Sequence, residues 1–192
     1  MKIVLVHGIM NTGHVMFYLK RQLEKQGYDC YSPTLWPIDG NKGIEYAAQS
    51  LKTGIEKRFG QAQNITVIGF SMGGIVARYY LQKLGGASRT AHFFALAAPH
   101  NGSYWAYLPY PGKGVKQLRP NSEFLQLLKA DESSLKGVQL YSYWSPLDTS
   151  IVPSSSSFWQ IAQNKKFYFV LHPLIIFSPK LAREIVSTLS RG

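Results

Sequence analysis

Ile65-Thr66-Val67-Ile68-Gly69-Phe70-Ser71-Met72-Gly73-Gly74 is the stretch on which the reading of this chain turns. Its first four residues are all β-branched and favour a strand, which breaks at Gly69. From Met72 to Leu84 a helical pattern resumes, closed by Gly85-Gly86. A serine on so sharp a strand-to-helix turn has backbone angles that crowd its neighbours, and glycine two residues before and two after leaves room for the bend. The Ser71 hydroxyl is then expected above the strand ends, at a helix N-terminus where the dipole and free N–H groups favour negative charge. A phosphate-binding turn is disfavoured, since neither G-x-G-x-x-G nor a Walker lysine is present. Ser71 is therefore the candidate nucleophile.

Outward from this turn, short apolar runs alternate with helical patterns, the signature of a mostly parallel sheet covered by helices. Strands are expected at Ile3–Val6, Tyr28–Tyr31, Ile65–Ile68, His92–Ala97, Val138–Trp144 and Phe167–Leu171. Helices are expected over about His14–Gln26, Ile44–Phe59, Met72–Leu84, Asn121–Ala130 and Pro179–Leu189. The Gly-, Pro-, Tyr- and Trp-rich segment Pro99–Pro120 fits no βα pattern. With no repeat and no linker, the 192 residues read as one α/β domain, 1–192, on a six-stranded sheet.

Hydrophobic residues make up 45% of the chain and charged ones 16%, which argues for a large core and against disorder. Lys and Arg outnumber Asp and Glu by 21 to 10, giving +11, but the basic residues are scattered. Without a basic run, zinc-finger spacing or RNA-binding aromatic motif, nucleic acid is not the expected partner. A solvated positive surface, or attraction to anionic membranes, accounts for the charge. Cys30 is the only cysteine, so neither an intrachain disulfide nor a cysteine-rich metal site is possible. Ile3-Val4-Leu5-Val6 is too short for a signal-peptide core of about 7–15 residues, and no apolar run approaches the ~20 of a membrane span. As given, the chain reads as soluble and cytoplasmic. Its oligomeric state is not legible.

A nucleophilic serine needs a base, usually histidine. Of five histidines, His7 reads as a loop-pinning imidazole, and His14 and His92 start a helix and a strand. His172 follows the last expected strand and is preferred; His100, in Ala98-Pro99-His100-Asn101-Gly102, is the rival. Asp148 lies in a turn past the fifth strand, which gives the order Ser71, Asp148, His172 and a carboxylate to orient the imidazole. It could also be an ordinary turn aspartate. Two backbone N–H groups should hold the oxyanion that forms on acyl transfer. Met72 supplies one, and the His7-Gly8-Ile9-Met10 loop the other, from Ile9 or, failing that, Met10.

Taken together these residues resemble the small lipases and esterases of the α/β-hydrolase superfamily, in particular the minimal, lid-poor bacterial lipases. The resemblance covers nearly the whole chain. It rests on His7-Gly8-Ile9, on Gly69 to Gly74 with Ala77-Arg78-Tyr79-Tyr80 behind it, on Ala98 to Ser103, on Asp148 with Ile151-Val152-Pro153, and on His172. It implies a minimal α/β-hydrolase fold with no separate cap domain, and cofactor-free, metal-free hydrolysis of carboxylic esters or lipids through Ser71, His172 and Asp148. Ile9 and Met72 would form the oxyanion hole. Acyl transfer or thioester hydrolysis on the same triad remain alternatives, as does a non-catalytic member binding an anionic partner. Two departures bear on pocket shape: Phe70 where many relatives carry His, and Leu171 where many carry Gly. The Tyr104-, Trp105-, Tyr107-, Leu108- and Tyr110-bearing stretch is an acyl groove, a small flap or a packed loop.

Overall fold

Lys2–Val6 (β1) and Ile65–Phe70 (β3) bury nearly every side chain, so both of their faces need covering. The other strands are Asp29–Tyr31 (β2), Thr90–Leu96 (β4), Gln139–Trp144 (β5) and Gln163–Lys166 (β6). In the computed structural model, which describes residues 1–110 and 112–191, they form one parallel sheet in the order β2-β1-β3-β4-β5-β6. Alternate residues feed two cores. Val4, Val6, Val67, Phe93 and Ala95 face the helices Ile44–Phe59 (α1) and Met72–Lys83 (α2). Ile3, Leu5, Ile68, Phe70 and Phe94 face Phe17–Glu24 (α3) and the C-terminal Pro179–Leu189 (α4).

The helix expected from His14 divides into a 3-10 turn, Gly13–Met16, and the α-helix from Phe17. Ile44–Phe59 and Pro179–Leu189 form as the apolar spacing predicts. The C-terminal helix is capped by Ser178, whose hydroxyl accepts from the Leu181 N–H at 3.2 Å. Between β4 and β5 lie the short helices Lys113–Gln117 (α5) and Glu123–Ala130 (α6), the latter capped by Ser122.

The sixth strand corrects the sequence reading. Phe167–Leu171 is not a strand; β6 is the polar Gln163–Lys166, paired with Tyr141–Trp144. An edge strand has one partner and one wet side, so it needs no apolar run, and its lysines discourage further pairing. The apolar run beyond it does something else: Phe167 drops into the second core while Tyr168, Val170 and Leu171 stay exposed. His172 accordingly does not follow the last strand directly; residues 167–171 intervene.

Chain order explains where a site can form. From β1 the chain passes to β2 on one side, and β3 then pairs on the other side of β1. The loops leaving β1 and β3 therefore diverge, opening a crevice at the carboxyl ends of these strands. At that point Ser71 adopts φ 54°, ψ −129°, and Met72 opens α2. The flanking glycines are forced by close approach. A Cβ on Gly73 would lie 2.3 Å from the His7 carbonyl oxygen and 2.5 Å from that of Val6; one on Gly69 would lie 2.6 Å from the Gly74 Cα. The Gly73→Ala variant is expected to lose about 3 kcal/mol of stability, because the blocking atoms are backbone and cannot rotate away. Urea unfolding measures the loss.

Candidate active site

Ser71 occupies the left-handed region that non-glycine residues rarely enter, a strain tolerated mainly where the surroundings over-determine it. Its own N–H is held by the Leu96 carbonyl at 2.9 Å, which ties the turn to β4. Met72, as first residue of α2, carries an N–H with no acceptor inside the helix.

The β1 loop treats its two candidate donors differently. The Met10 N–H donates to the Ile38 carbonyl at 2.7 Å and is committed, whereas the Ile9 carbonyl accepts from the Asn11 side chain at 2.8 Å. Of the two residues considered as oxyanion donors, Met10 has its amide engaged elsewhere, and Ile9 lines the crevice with Ser71 and Met72. His7 pins this loop. The Leu35 N–H donates to its Nε2 at 2.9 Å, so Nδ1 carries the proton and donates to the Gly8 carbonyl at 2.8 Å. Burial holds the His7 imidazole below its usual pKa, against the opposing pull of the Gly8 bond.

Asp148 and His172, 24 residues apart, meet: His172 Nδ1 and Asp148 Oδ2 are 2.6 Å apart, with side chains 10% and 5% exposed. The other carboxylate oxygen of Asp148 accepts from the N–H groups of Ser150 and Ile151 at 2.8 and 3.2 Å. Phe70, next to Ser71 in the chain, packs its ring on the His172 imidazole at a centroid distance of 4.8 Å. His172 Nε2 is buried and has no hydrogen-bond partner among the described residues.

Sequence reasoning missed Ser145. Its hydroxyl donates to the Phe169 carbonyl at 2.7 Å and accepts from the N–H groups of Phe169 and Leu147 at 2.9 and 3.2 Å. It thus staples the loop carrying Asp148 to the segment leading to His172. Ser145-Pro146 at the end of a strand was the available signal, since a serine there offers its hydroxyl to nearby backbone. In the sequence Phe70 likewise reads only as a departure from the family pattern, and nothing there says that it backs the imidazole.

His100, the rival base, lies elsewhere. It is 4% exposed and stacks on Trp159 at 4.3 Å. Arg78 lies over the same indole at 4.7 Å and bonds Glu132 at 2.9 Å, while the Trp159 N–H donates to the same Glu132 oxygen. Burial first, and the Arg78 charge second, hold His100 well below the ordinary histidine pKa. It belongs to a buried network behind α2. Burial also pushes the Cys30 thiol up to about 12, which leaves it inert near neutral pH.

Above Ser71 opens a cavity of about 520 Å³, walled by Met10, Met72, Trp105, Leu108, Tyr110 and Ile151 among others. A larger one, about 630 Å³, sits by the β5–β6 edge with His92 and Glu184 and is remote from Ser71. Trp105, Leu108 and Tyr110 of the aromatic stretch line this groove. The Trp105 indole N–H donates to the Thr149 carbonyl, Tyr104 N–H to that of Val152, and Gly114 N–H to that of Gly40. Among the described residues, no group of three or more His, Cys, Asp or Glu could hold a metal ion, and no helix is long and apolar enough to cross a membrane.

A family model for the alpha/beta hydrolase fold matches residues 2–172. The chain belongs to the α/β-hydrolase family. Among solved structures, the mature lipase BlEst2 of Bacillus licheniformis superposes with a TM-score of 0.78 at 18% identity, over 98% of this chain and 91% of that one. Lipase B of Aspergillus fumigatus gives 0.76 at 17%, over 98% of this chain but 52% of that one. A pyrethroid hydrolase from Sphingobium faniae JZ-2 gives 0.65 at 16%, over 97% and 96%. At such identities the likeness is one of fold. No curated protein matches the sequence. As an α/β-hydrolase fold with a six-stranded parallel sheet flanked by helices, the chain agrees with the resemblance read from its motifs.

The buried imidazoles make stability depend on pH. His7, His92 and His100 all have lowered pKa values, with burial the first cause. Below the ordinary 6.5 the unfolded chain binds protons that the folded one still refuses, so stability present at neutral pH declines as pH falls. Urea midpoints should drop between about pH 7.5 and 5.5, and the His7→Gln variant should show a shallower dependence.

Proposed function

We propose that this α/β-hydrolase cleaves carboxylic esters through an acyl-enzyme formed on Ser71. The observation that carries the reading is the 2.6 Å pairing of Asp148 with His172 Nδ1, since it leaves Nε2 as the imidazole's working nitrogen. Phe70, which carries the chain into Ser71, packs against that same ring. The lipase and hydrolase names of the proteins sharing the fold accord with it.

In this mechanism the Ser71 hydroxyl rotates toward Nε2 and attacks the ester carbonyl, and its proton passes to His172. Asp148 fixes the tautomer and stabilises the imidazolium, its own charge held in place by the Ser150 and Ile151 amides. The N–H groups of Ile9 and Met72 receive the oxyanion, aided by the N-terminus of α2. Imidazolium returns the proton to the leaving alcohol. Water, activated by the same Nε2, then releases the acid and restores Ser71. The apolar cavity holds the hydrocarbon portion of the ester, a volume within the ordinary range for small-molecule sites.

Ser71→Ala and His172→Ala should each cut kcat on a p-nitrophenyl ester by about ten-thousand-fold or more, with circular dichroism unchanged; Asp148→Asn should fall by a similar factor. A fluorophosphonate probe should label Ser71 and nothing else. Undiminished turnover by Ser71→Ala would overturn the assignment, and damage from His100→Ala but not His172→Ala would move the base.

Ser145 is the positioning residue of this arrangement. Ser145→Ala should lower kcat about tenfold with KM little changed, and cost about 1–3 kcal/mol by leaving the Phe169 backbone groups unpaired. Stopped assays and urea unfolding separate the two effects.

A further inference from the structure

In a parallel sheet every strand points the same way, so the loops leaving the carboxyl ends all lie on one face. That face collects most of the exposed large apolar side chains. Met10 follows β1, Trp36 follows β2, Trp105 follows β4, Leu147 follows β5, and Tyr168 and Leu171 follow β6. Each is at least half exposed, reaching 64% at Trp36 and 70% at Tyr168, near opposite edges of the sheet. With strands about 4.8 Å apart, the rim spans roughly 25 Å around Ser71. Of the opposite segments, the loops at 25–28, 60–64, 84–89 and 136–138 hold none of the exposed large apolar residues, while Met1, Phe158 and Ile161, on the stretches leading into β1 and β6, are 44–48% exposed. Side chains that are half exposed or more thus gather mainly at the carboxyl end, a weighting beyond the ordinary scatter of surface hydrophobics.

Charge on the same face is mainly positive, although Lys113 pairs with Glu45 of α1 at 3.1 Å. Residues 97–122 contain Lys113, Lys116 and Arg119 and no acid; residues 166–178 contain Lys166 and no acid. The acids of the remaining carboxyl-end loops are Asp39 and the buried Asp148. Lys116 and Lys166 are exposed and make no salt bridge among the described residues.

We propose that this face docks on an anionic lipid surface, presenting the groove over Ser71 directly to the bilayer. Exposed Trp and Tyr suit the water–hydrocarbon boundary, where an apolar ring and a polar tip are both satisfied. Lysines around the rim meet the headgroup charge, and a chain of net charge +11 approaches such a surface faster than a neutral one. A second copy of the chain is the poorer occupant, because two basic faces would have to meet. The docking rests on the ester-hydrolase reading only for its purpose. Its physical basis is independent.

Vesicle flotation tests it, comparing phosphatidylcholine alone with phosphatidylcholine containing about one-third phosphatidylglycerol, at ~0.1 M salt. The protein should float with the anionic vesicles at least tenfold better. Lys116→Gln and Lys166→Gln should each weaken that binding about fivefold. Trp36→Ser with Tyr168→Ser should weaken it about tenfold or more. All these side chains are exposed, so circular dichroism and turnover of a water-soluble short-chain ester should match the unsubstituted protein. Equal binding to both vesicles, variants that bind undiminished, or a solution dimer that hides Trp36 and Tyr168 would each overturn the proposal. Flotation without any ester turnover would sink the ester reading and leave the docking; turnover without flotation would do the reverse.

Discussion

The left-handed backbone of Ser71 holds only because α2 is pressed against β1. Gly73 rests against the carbonyls of Val6 and His7, and Gly69 against Gly74, with no room for a methyl group at either. That contact fixes where α2 begins, and hence where the Met72 N–H lies. It also brings the β1 loop alongside, so that Ile9 and Ser71 share one crevice. The sheet order supplies the opening; the two glycines let the serine stand in it. Every later feature of the site is built on this approach of helix to strand.

Much of this could be read from residue types. β-Branched runs located β1 and β3, and a 3.6-residue spacing located Ile44–Phe59 and the C-terminal helix, because buried elements must carry apolar pattern. Edge elements escape that rule. β6 is polar because one of its sides meets water, whereas the apolar run after it forms no ladder and stays largely exposed. Chain order picked Asp148 and His172, and the two side chains do meet. Geometry then added what order cannot carry: the amides of Ser150 and Ile151 on Asp148, the Phe70 ring behind His172, and the Ser145 hydroxyl bridging their loops.

The histidines illustrate how environment, not residue type, divides the work. His7 and His100 are both close to the sheet's carboxyl end, yet each is engaged in holding backbone or aromatic neighbours, and burial keeps each neutral. Arg78, with burial lowering its pKa only to about 10, remains charged at neutral pH and holds Glu132 beside the helix that follows Ser71. His172 differs in having a carboxylate on one nitrogen, while the other has no hydrogen-bond partner among the described residues.

The two outer strands carry a consequence for how the chain meets copies of itself. β2 is only three residues long, and Asp29 within it is held by Lys2 and Arg58. At the far side, β6 shows Lys165 and Lys166 and almost nothing apolar. Neither margin offers a long, flat, greasy row of amides onto which a foreign strand could zip. The sheet therefore stops growing at both ends, and stickiness lies mainly on a face where association requires side chains and not backbone.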